Sequence, residues 1–221
     1  MAHKKLERFA EVRGFPNCLV LFWEDASKEA FSMRSSWNSS HFRNASPLTL
    51  ELGCGKGEYT IELARRFPDR NFIGVDIKGN RLWKGAKIAL DDKLNNVAFL
   101  RTRIDFIDKA FGPNEVEEIW ITFPDPQKEK ARKRLTHPMF LGRYRKFLKP
   151  DAMIHLKTDS DLLFEYTLDV ISKENHVLLD STNDLYENKP GRDEVRLTQT
   201  FYEKIFLKEG KKIKYLKFQL F

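Results

Sequence analysis

The sequence is poor in cysteine and has no long apolar run. Its two cysteines, Cys18 and Cys54, are too few for a disulfide framework or a four-ligand zinc site, and they fit a reducing compartment, which we expect to be the cytoplasm. The longest apolar stretch reaches only from Cys18 to Trp23, whereas a membrane-spanning helix needs about 20 such residues. We also expect no secretory signal, because the first residues include lysine and glutamate in place of an apolar core. These absences argue against a secreted disulfide scaffold and against a helical membrane protein.

The 221 residues suffice for one domain with a modest appendage, and contents of 41% apolar and 13% aromatic residues exclude wholesale disorder. The net charge of +7 is concentrated in one segment. Residues 126–150 hold nine bases and one acid, Glu129, so this segment carries +8 and the rest of the chain about −1 (7 − 8). Its bases are Lys128, Lys130, Arg132, Lys133, Arg134, Arg143, Arg145, Lys146 and Lys149. The concentration predicts a polyanionic partner; the alternative is a solvated basic face.

Short apolar runs alternate with segments of helical periodicity from Leu48 onward. Strands are predicted at 48–52, 71–76, 97–101, 118–123, 152–158, 176–180 and 213–221, and helices at 58–67, 80–94, 139–148 and 160–171. This order predicts an α/β fold with a mostly parallel sheet, an antiparallel edge strand and helices on both faces. The polar stretch from Ser32 to His41 predicts a partly mobile N-terminal arm over residues 1–45, ahead of a main domain over residues 46–221.

A glycine-rich turn, Leu50-Glu-Leu-Gly-Cys-Gly-Lys-Gly57, follows the first predicted strand. Gly53, Gly55 and Gly57 let a flat ligand approach the backbone, and their spacing differs from both the dinucleotide-binding and the P-loop patterns. Glu51, just before them, would repel a pyrophosphate and attract a cation. Cys54 lies inside the loop, where we expect a small packed residue and not a nucleophile.

Two further acids follow the second and third predicted strands. Asp76 is placed to accept hydrogen bonds from ribose hydroxyls, and Asp105 to meet an adenine amino group. Together with Glu51 near a positively charged tail, they predict S-adenosylmethionine as the cofactor. Taken singly, each acid has a plainer explanation as a turn or cap residue.

Asp125 follows the fourth predicted strand in the segment Thr122-Phe-Pro-Asp-Pro-Gln127. The flanking prolines restrict the backbone on both sides of it. A rigid acid at this strand end, directly before the basic segment, is a candidate site residue; the alternative is a simple strand-terminating turn.

These motifs together resemble the bacterial tRNA (guanine-N7)-methyltransferase family over about residues 45–221. The resemblance is carried by the glycine-rich turn, Phe72-Ile-Gly-Val-Asp76, Phe123-Pro-Asp-Pro126 with the basic run that ends at Thr136, Leu156-Lys-Thr-Asp159, and Thr200-Phe-Tyr-Glu203. The glycine-rich turn is common to methyltransferases, whereas the Phe-Pro-Asp-Pro stretch with its basic run is the most specific part.

The resemblance implies a Rossmann-like class I methyltransferase fold and methyl transfer from S-adenosylmethionine to N7 of guanine 46 in the tRNA variable loop. It implies cofactor contacts through Glu51, the three glycines, Asp76, Asp105 and Asp125, the last also being the candidate catalytic residue. The implied tRNA contacts are Lys128, Lys130, Arg132, Lys133, Arg134, Asp159, Thr200, Phe201, Tyr202 and Glu203. Family members carry tryptophan and lysine where this chain has Gln127 and Glu129, so either Lys128 or Lys130 takes the lysine's role.

The implied chemistry needs no general base and no metal, because guanine N7 already carries an exposed lone pair and requires only positioning. The sequence accordingly shows neither a Ser–His–Asp pattern nor a metal-ligand cluster. Two other readings stay open: a methyltransferase that acts on another RNA or on protein, and a non-catalytic RNA-binding protein that kept the fold. The sequence also leaves open whether the chain is a monomer or a homodimer.

Overall fold

A computed structural model describes residues 2–22, 24, 31–187 and 193–221. The described residues form one eight-stranded sheet with the order β1-β4-β3-β2-β5-β6-β8-β7. The strands are β1 Cys18–Val20, β2 Leu48–Leu52, β3 Asn71–Asp76, β4 Val97–Arg101, β5 Val116–Thr122, β6 Leu148–Thr158, β7 Val177–Thr182 and β8 Lys214–Gln219. The α-helices are α1 Ala2–Glu11, α2 Glu58–Arg66, α3 Gly79–Asp91, α4 Ile107–Ala110, α5 Pro138–Tyr144, α6 Asp161–Lys173, α7 Asp193–Leu197 and α8 Phe201–Lys208.

The predicted fold class is confirmed. All pairings among β1 to β6 are parallel, and β8 pairs antiparallel with both β6 and β7. The reversed strand is therefore β8, one position inside the edge, and the edge strand β7 runs in the same direction as β6. Within the described ranges, no helix combines the length and apolar character needed to cross a bilayer.

The direction of strand addition reverses at β2, because β3 and β4 lie on one side of it and β5 and β6 on the other. In open α/β sheets, ligands bind beyond the carboxyl ends of the strands at such a reversal. Here those ends carry the glycine-rich turn after β2 and the Phe-Pro-Asp-Pro segment after β5. The topology thus brings two of the sequence motifs to one crevice.

Strand β2 also shows how the two faces of the sheet differ. Leu48, Leu50 and Leu52 belong to the main apolar core, whereas the intervening Thr49 and Glu51 are buried polar residues on the other face. That second face meets α2 and the segment that includes α7 and α8. It is therefore the face on which polar side chains approach the crevice.

The expectation that regular structure begins near Leu48 is wrong. Helix α1 precedes it, and β1 pairs with β4 at the far edge of the sheet. The polar stretch expected to be mobile includes a π-helix, Trp37–Phe42, in which Trp37 is fully buried and donates its indole N–H to the Ala110 carbonyl at 3.0 Å. The burial of Trp37 thus gives this stretch a regular structure despite the polar residues around it. Residues 25–30 lie outside the described part, and the division of the chain at residue 45 stays a prediction.

Candidate functional site

The glycine loop after β2 has a conformation that glycine adopts most readily. Gly53, Gly55 and Gly57 have φ angles of +78°, +58° and +71°. A Cβ at Gly53 or Gly55 would meet nothing within 4 Å, so the space beside these two residues is open. A Cβ at Gly57 would collide with the ring of Phe99, so this glycine permits close packing against β4. The first two glycines therefore fit the expected approach of a ligand, and the third has a packing role.

Asp76 ends β3, and its carboxylate is tied to the same loop. Its Oδ2 accepts a hydrogen bond from the Gly55 amide at 3.0 Å, and its Oδ1 accepts one from the Lys78 amide at 2.7 Å. Each carboxylate oxygen has a further lone pair with which it can accept a hydroxyl proton. This fixed orientation suits the ribose contact, which stays a prediction.

Glu51 is a buried acid with three hydrogen-bond donors around it. Its Oε2 accepts hydrogen bonds from the Thr60 amide at 2.9 Å and the Thr60 hydroxyl at 2.5 Å, and its Oε1 accepts one from the Thr122 hydroxyl at 2.7 Å. Burial raises the pKa of Glu51 to about 7, although these hydrogen bonds act in the opposite direction. A cation that approaches this carboxylate would favour its ionised form.

A first cleft, of about 200 Å³, lies over the glycine loop and Glu51. Thr122 and Phe123, at the end of β5, form a second wall. Phe201 and Tyr202, at the start of α8, close the opposite side. The cleft thus combines a buried acid, an accessible backbone and aromatic surfaces.

A second cleft, of about 630 Å³, contains Asp125 and Asp159. Phe123 and Tyr202 line this cleft as well as the first, so the two clefts adjoin across these aromatic side chains. Lys128 also lines the second cleft. The structure therefore brings together two acids that lie 34 residues apart in the sequence (159 − 125).

The segment that carries Asp125 begins and ends in a left-handed backbone conformation. Phe123 has a φ of +49° and Gln127 a φ of +48°, which is uncommon for residues with a side chain. The Gln127 amide donates a hydrogen bond to Asp125 Oδ1 at 2.9 Å, and the Phe123 amide donates one to the Lys157 carbonyl at 2.8 Å. Such conformations persist where the surroundings enforce them, and they concentrate at functional sites.

Asp105 lies apart from the two clefts. Its half-exposed carboxylate pairs with Arg103 at 3.3 Å, and its residue lines neither cleft. The adenine contact through Asp105 stays a prediction without support from this geometry.

The basic run separates into two kinds of residue. Lys128, Lys130, Arg132 and Lys133 are exposed, as a surface that binds RNA requires. Arg134 is only 6% exposed. The position of Arg134 differs from its expected role as an RNA contact.

Arg134 instead supports the loop that follows Asp125. Its Nε donates to the Pro126 carbonyl at 3.0 Å, and its Nη2 donates to the carbonyls of Gln127 and Lys128, both at 3.4 Å. Its guanidinium also lies over the Tyr166 ring at 4.3 Å. From the sequence alone, Arg134 is expected to be a surface cation, because a run of charged residues does not show which of its side chains is buried.

The Thr200-Phe-Tyr-Glu203 motif forms the start of α8. Thr200 caps the helix, and Thr200 and Glu203 form a reciprocal capping box. Phe201 and Tyr202 are about half exposed, whereas Glu203 is fully buried. The expected RNA contact through Glu203 conflicts with this burial, because the carboxylate is enclosed by protein groups.

Lys157 is the buried partner of Glu203; it stands in the Leu156-Lys-Thr-Asp159 motif, but no role was predicted for it. Its Nζ lies 2.7 Å from Glu203 Oε1 and 2.9 Å from Oε2. Burial lowers the pKa of Lys157, and the Glu203 carboxylate opposes this change. The available signal was a lysine near the end of the buried segment Ile154-His-Leu-Lys-Thr158, because a lysine buried there requires an acid as its partner.

Cys54 is buried, and burial next to the carboxylates of Glu51 and Asp76 raises the pKa of its thiol well above the usual range. This environment suits a packed thiol, as expected, and disfavours a thiolate nucleophile. In residues 2–22, 31–187 and 193–221, no three His, Cys, Asp or Glu side chains gather in a group that could hold a metal ion.

Comparison with known families and proteins gives a consistent result. A family model described as a putative methyltransferase matches residues 45–216. A tRNA (guanine-N(7)-)-methyltransferase of Christiangramia forsetii is 49% identical over 98% of this chain and 97% of that protein. A protein of the same name from Bacteroides thetaiotaomicron is 47% identical over 100% of this chain and 87% of that protein.

Solved structures show the same fold at low identity. The 16S rRNA methyltransferase KamB superimposes with a TM-score of 0.64 at 16% identity, over 85% of this chain and 94% of that one. A geranyl diphosphate C-methyltransferase from Streptomyces coelicolor gives a TM-score of 0.53 at 16% identity, over 84% of this chain and 77% of that one. These likenesses support a Rossmann-like methyltransferase fold.

Proposed function

Since this chain belongs to the tRNA (guanine-N7)-methyltransferase family, we propose that it transfers a methyl group from S-adenosylmethionine to N7 of guanine 46 in the tRNA variable loop. The observation that carries the proposal is the pair of adjoining clefts at the carboxyl ends of β2, β5 and β6. One cleft has the features of a cofactor site, and the other has two acids suited to a guanine. The cytoplasm, where tRNA is found, is the proposed compartment.

The residues of the first cleft fit S-adenosylmethionine, which when bound supplies a methyl group attached to a positively charged sulfur. The open space beside Gly53 and Gly55 admits the cofactor close to the backbone. Asp76 does not line the cleft itself, but it holds the Gly55 amide of the loop that does, and it would accept hydrogen bonds from the ribose hydroxyls. Glu51 would attract the positively charged amino group. The pKa of Glu51 is about 7, so an approaching cation can readily favour the ionised carboxylate. This agrees with the positively charged tail that Glu51 predicts for the ligand.

The residues of the second cleft fit a guanine base. Asp125 and Asp159 would accept hydrogen bonds from N1–H and the N2 amino group, and adenine offers no such pair of donors on that edge. A site that hydrogen-bonds a substrate group strongly rejects analogues that lack it. Because N7 needs no deprotonation, the chain's role is to hold it in line with the methyl carbon and to exclude water. Asp125 would also stabilise the positive charge that develops on the guanine.

The exposed bases next to the second cleft would neutralise tRNA phosphates. Lys128 lines the cleft itself, so we assign it the role of the family's substrate-binding lysine in preference to Lys130. Lys130, Arg132 and Lys133 do not line the cleft, and their exposed side chains are available to further phosphates.

The direct test is methylation of an unmodified tRNA transcript by the purified protein. After incubation with S-adenosylmethionine, the RNA is digested and its nucleosides are identified by mass spectrometry. We expect 7-methylguanosine, and none with a transcript in which guanine 46 is replaced by adenine. A different methylated nucleoside, or methyl transfer to protein only, would establish the alternative function.

A further inference from the structure

Lys157 connects the two aromatic walls that separate the clefts. Its backbone carbonyl accepts the hydrogen bond from the Phe123 amide at 2.8 Å. Its side chain binds Glu203, which belongs to the same first turn of α8 as Tyr202. Phe123 and Tyr202 are the two aromatic residues common to both clefts. A single residue of β6 is thus attached to both sides of the junction.

The ammonium group of Lys157 has every donor engaged by the segment around α7 and α8. Its three donors bind Oε2 of Glu203 at 2.9 Å and the carbonyls of Val195 and Thr198, each at 3.0 Å. The residue is fully buried, with the Tyr59 ring 5.2 Å away. A buried charge is tolerated only with such complete pairing.

The carboxylate of Glu203 extends the same network. Its Oε1 accepts a hydrogen bond from the Tyr186 hydroxyl at 2.8 Å, and its Oε2 accepts one from the Thr200 amide at 3.2 Å. The hydroxyl of Tyr186 in turn accepts a hydrogen bond from Gln199 at 3.0 Å. The network therefore joins strand β6, through Lys157, both to Tyr186 after β7 and to the first turn of α8, which carries the exposed aromatic side chains.

We propose that Lys157 is a positioning residue that fixes the position of Tyr202 relative to Phe123 and so sets the alignment of the guanine with the methyl donor. This proposal rests on the proposed methyl transfer. Apolar residues of similar volume often replace a buried ion pair without loss of stability, so stability alone does not explain the pair. The ammonium group makes directional hydrogen bonds to three partners, and these hold α8 at a defined place on the sheet. Apolar packing alone would define the position of α8 less sharply.

The test compares Lys157→Met, Glu203→Gln and the double variant with wild type. Glutamine retains the capping box at the third helical position, and the double variant leaves no unpaired buried charge. Misplacement of reacting groups by about 1 Å can lower a rate by about 100-fold, so we expect the single-turnover rate at saturating tRNA and cofactor to fall about 10- to 100-fold in the double variant. Its affinity for S-adenosylhomocysteine should fall much less than the rate, because the glycine loop and Asp76 lie at the ends of β2 and β3, although Phe201 and Tyr202 of α8 also line the first cleft.

A second readout reports the position of α8 without any substrate. Hydrogen exchange of the amides in residues 201–208 should quicken in the double variant, while exchange in β2 to β5 stays as in wild type. Tyr186→Phe, which removes only the hydroxyl that binds Glu203, should show the same effects to a smaller degree and guards against failure of the charge variants to fold.

Arg70→Met is the matched control. Arg70 pairs with Glu118 at 2.9 Å on the same face of the sheet, away from both clefts, so its loss should alter stability and leave the rate unchanged. A double variant with a normal rate, or with unchanged exchange in α8, would overturn the proposal. If wild type forms no 7-methylguanosine, the proposed function fails, and hydrogen exchange still decides whether Lys157 positions α8.

Discussion

Thr60 donates two hydrogen bonds to one oxygen of Glu51, from its backbone amide at 2.9 Å and from its hydroxyl at 2.5 Å. Helix α2 thereby fixes the acid of β2 beneath the first cleft. Since the third donor, the Thr122 hydroxyl, comes from β5, the carboxylate also joins the two strands at which the sheet reverses its order.

Glu51→Gln should change the pH dependence of stability of the unligated protein. The folded-state pKa of about 7 exceeds the ordinary value of 4.5, so the native state binds more protons in this window and its stability falls as the pH rises through it. We expect the melting temperature of Glu51→Gln, relative to wild type, to increase between about pH 5 and 8. Melting curves of both proteins check this; a difference that does not vary with pH would contradict the buried, protonatable carboxylate.

Asp76→Ala should weaken binding of S-adenosylhomocysteine by about 1–3 kcal/mol, because ribose hydroxyls and the Gly55 and Lys78 amides would lose their acceptor. Asp105→Ala is the informative comparison: neither acid lines a cleft, but Asp105 is half exposed and pairs with Arg103, whereas Asp76 is buried and holds the Gly55 amide. Titration calorimetry on both variants measures the effect. Unchanged affinity in Asp76→Ala would remove the ribose assignment, and a large loss in Asp105→Ala would restore the adenine contact.

Replacing Arg132 and Lys133 by glutamine should lower the salt dependence of tRNA binding. Each lost phosphate contact reduces the slope of log K against log salt by about 0.7–0.9, so the slope should flatten by up to about 2 units. Arg134→Gln is the matched control within the same run: it should lower the melting temperature and the methylation rate with little change in slope. Equal slopes in wild type and the Arg132/Lys133 variant would locate the RNA elsewhere on the surface.

Asp125→Asn should reduce the single-turnover rate by about 100-fold, comparable to the loss of one preorganised electrostatic partner. Asparagine keeps the size of the side chain but removes its charge and replaces one acceptor by a donor. Melting temperature and tRNA affinity should stay near wild type, because Asp125 is exposed and its hydrogen bond to Gln127 can persist through the remaining oxygen. Near-normal turnover, or a large loss of stability, would mean that Asp125 serves only to form the turn that ends the strand.

Asp159→Asn should act on recognition of the base, with a raised KM for tRNA or methylation of transcripts that carry another purine at position 46. Lys211 lies 3.4 Å from Asp159 Oδ2, so Lys211→Met tests whether an effect comes from the carboxylate or from its pairing. Rates with guanine and adenine transcripts measure the outcome. Strict selectivity for guanine with an unchanged KM in Asp159→Asn would argue against its contact with the base.

The sequence predicted the strands β2, β3 and β4 with the bounds that the structure has, because apolar runs are local patterns. Asp125 was a candidate site residue from its place after a strand and Asp159 only through the family resemblance, and it is the structure that brings both into the second cleft. It did not reveal Trp37 as an anchor, since one buried aromatic in a polar stretch leaves no periodicity. The inward turn of Arg134 and the burial of Glu203 depend on partners distant in sequence, the Tyr166 ring and Lys157. The resemblance implied tRNA contacts for both residues, whereas the structure buries both and pairs them with groups that support the site.

The position of β8 between β6 and β7 has a consequence for the order of folding. During synthesis β7 emerges before β8, the strand that joins it to the sheet, so until β8 inserts, the edge of β6 remains unpaired and prone to wrong association. Helix α8 lies between β7 and β8 in the chain, so its aromatic side chains reach their places only in this last step. A form of the chain without β8 in place would still hold the glycine loop and Phe123, but it would lack the aromatic wall that Phe201 and Tyr202 of α8 supply.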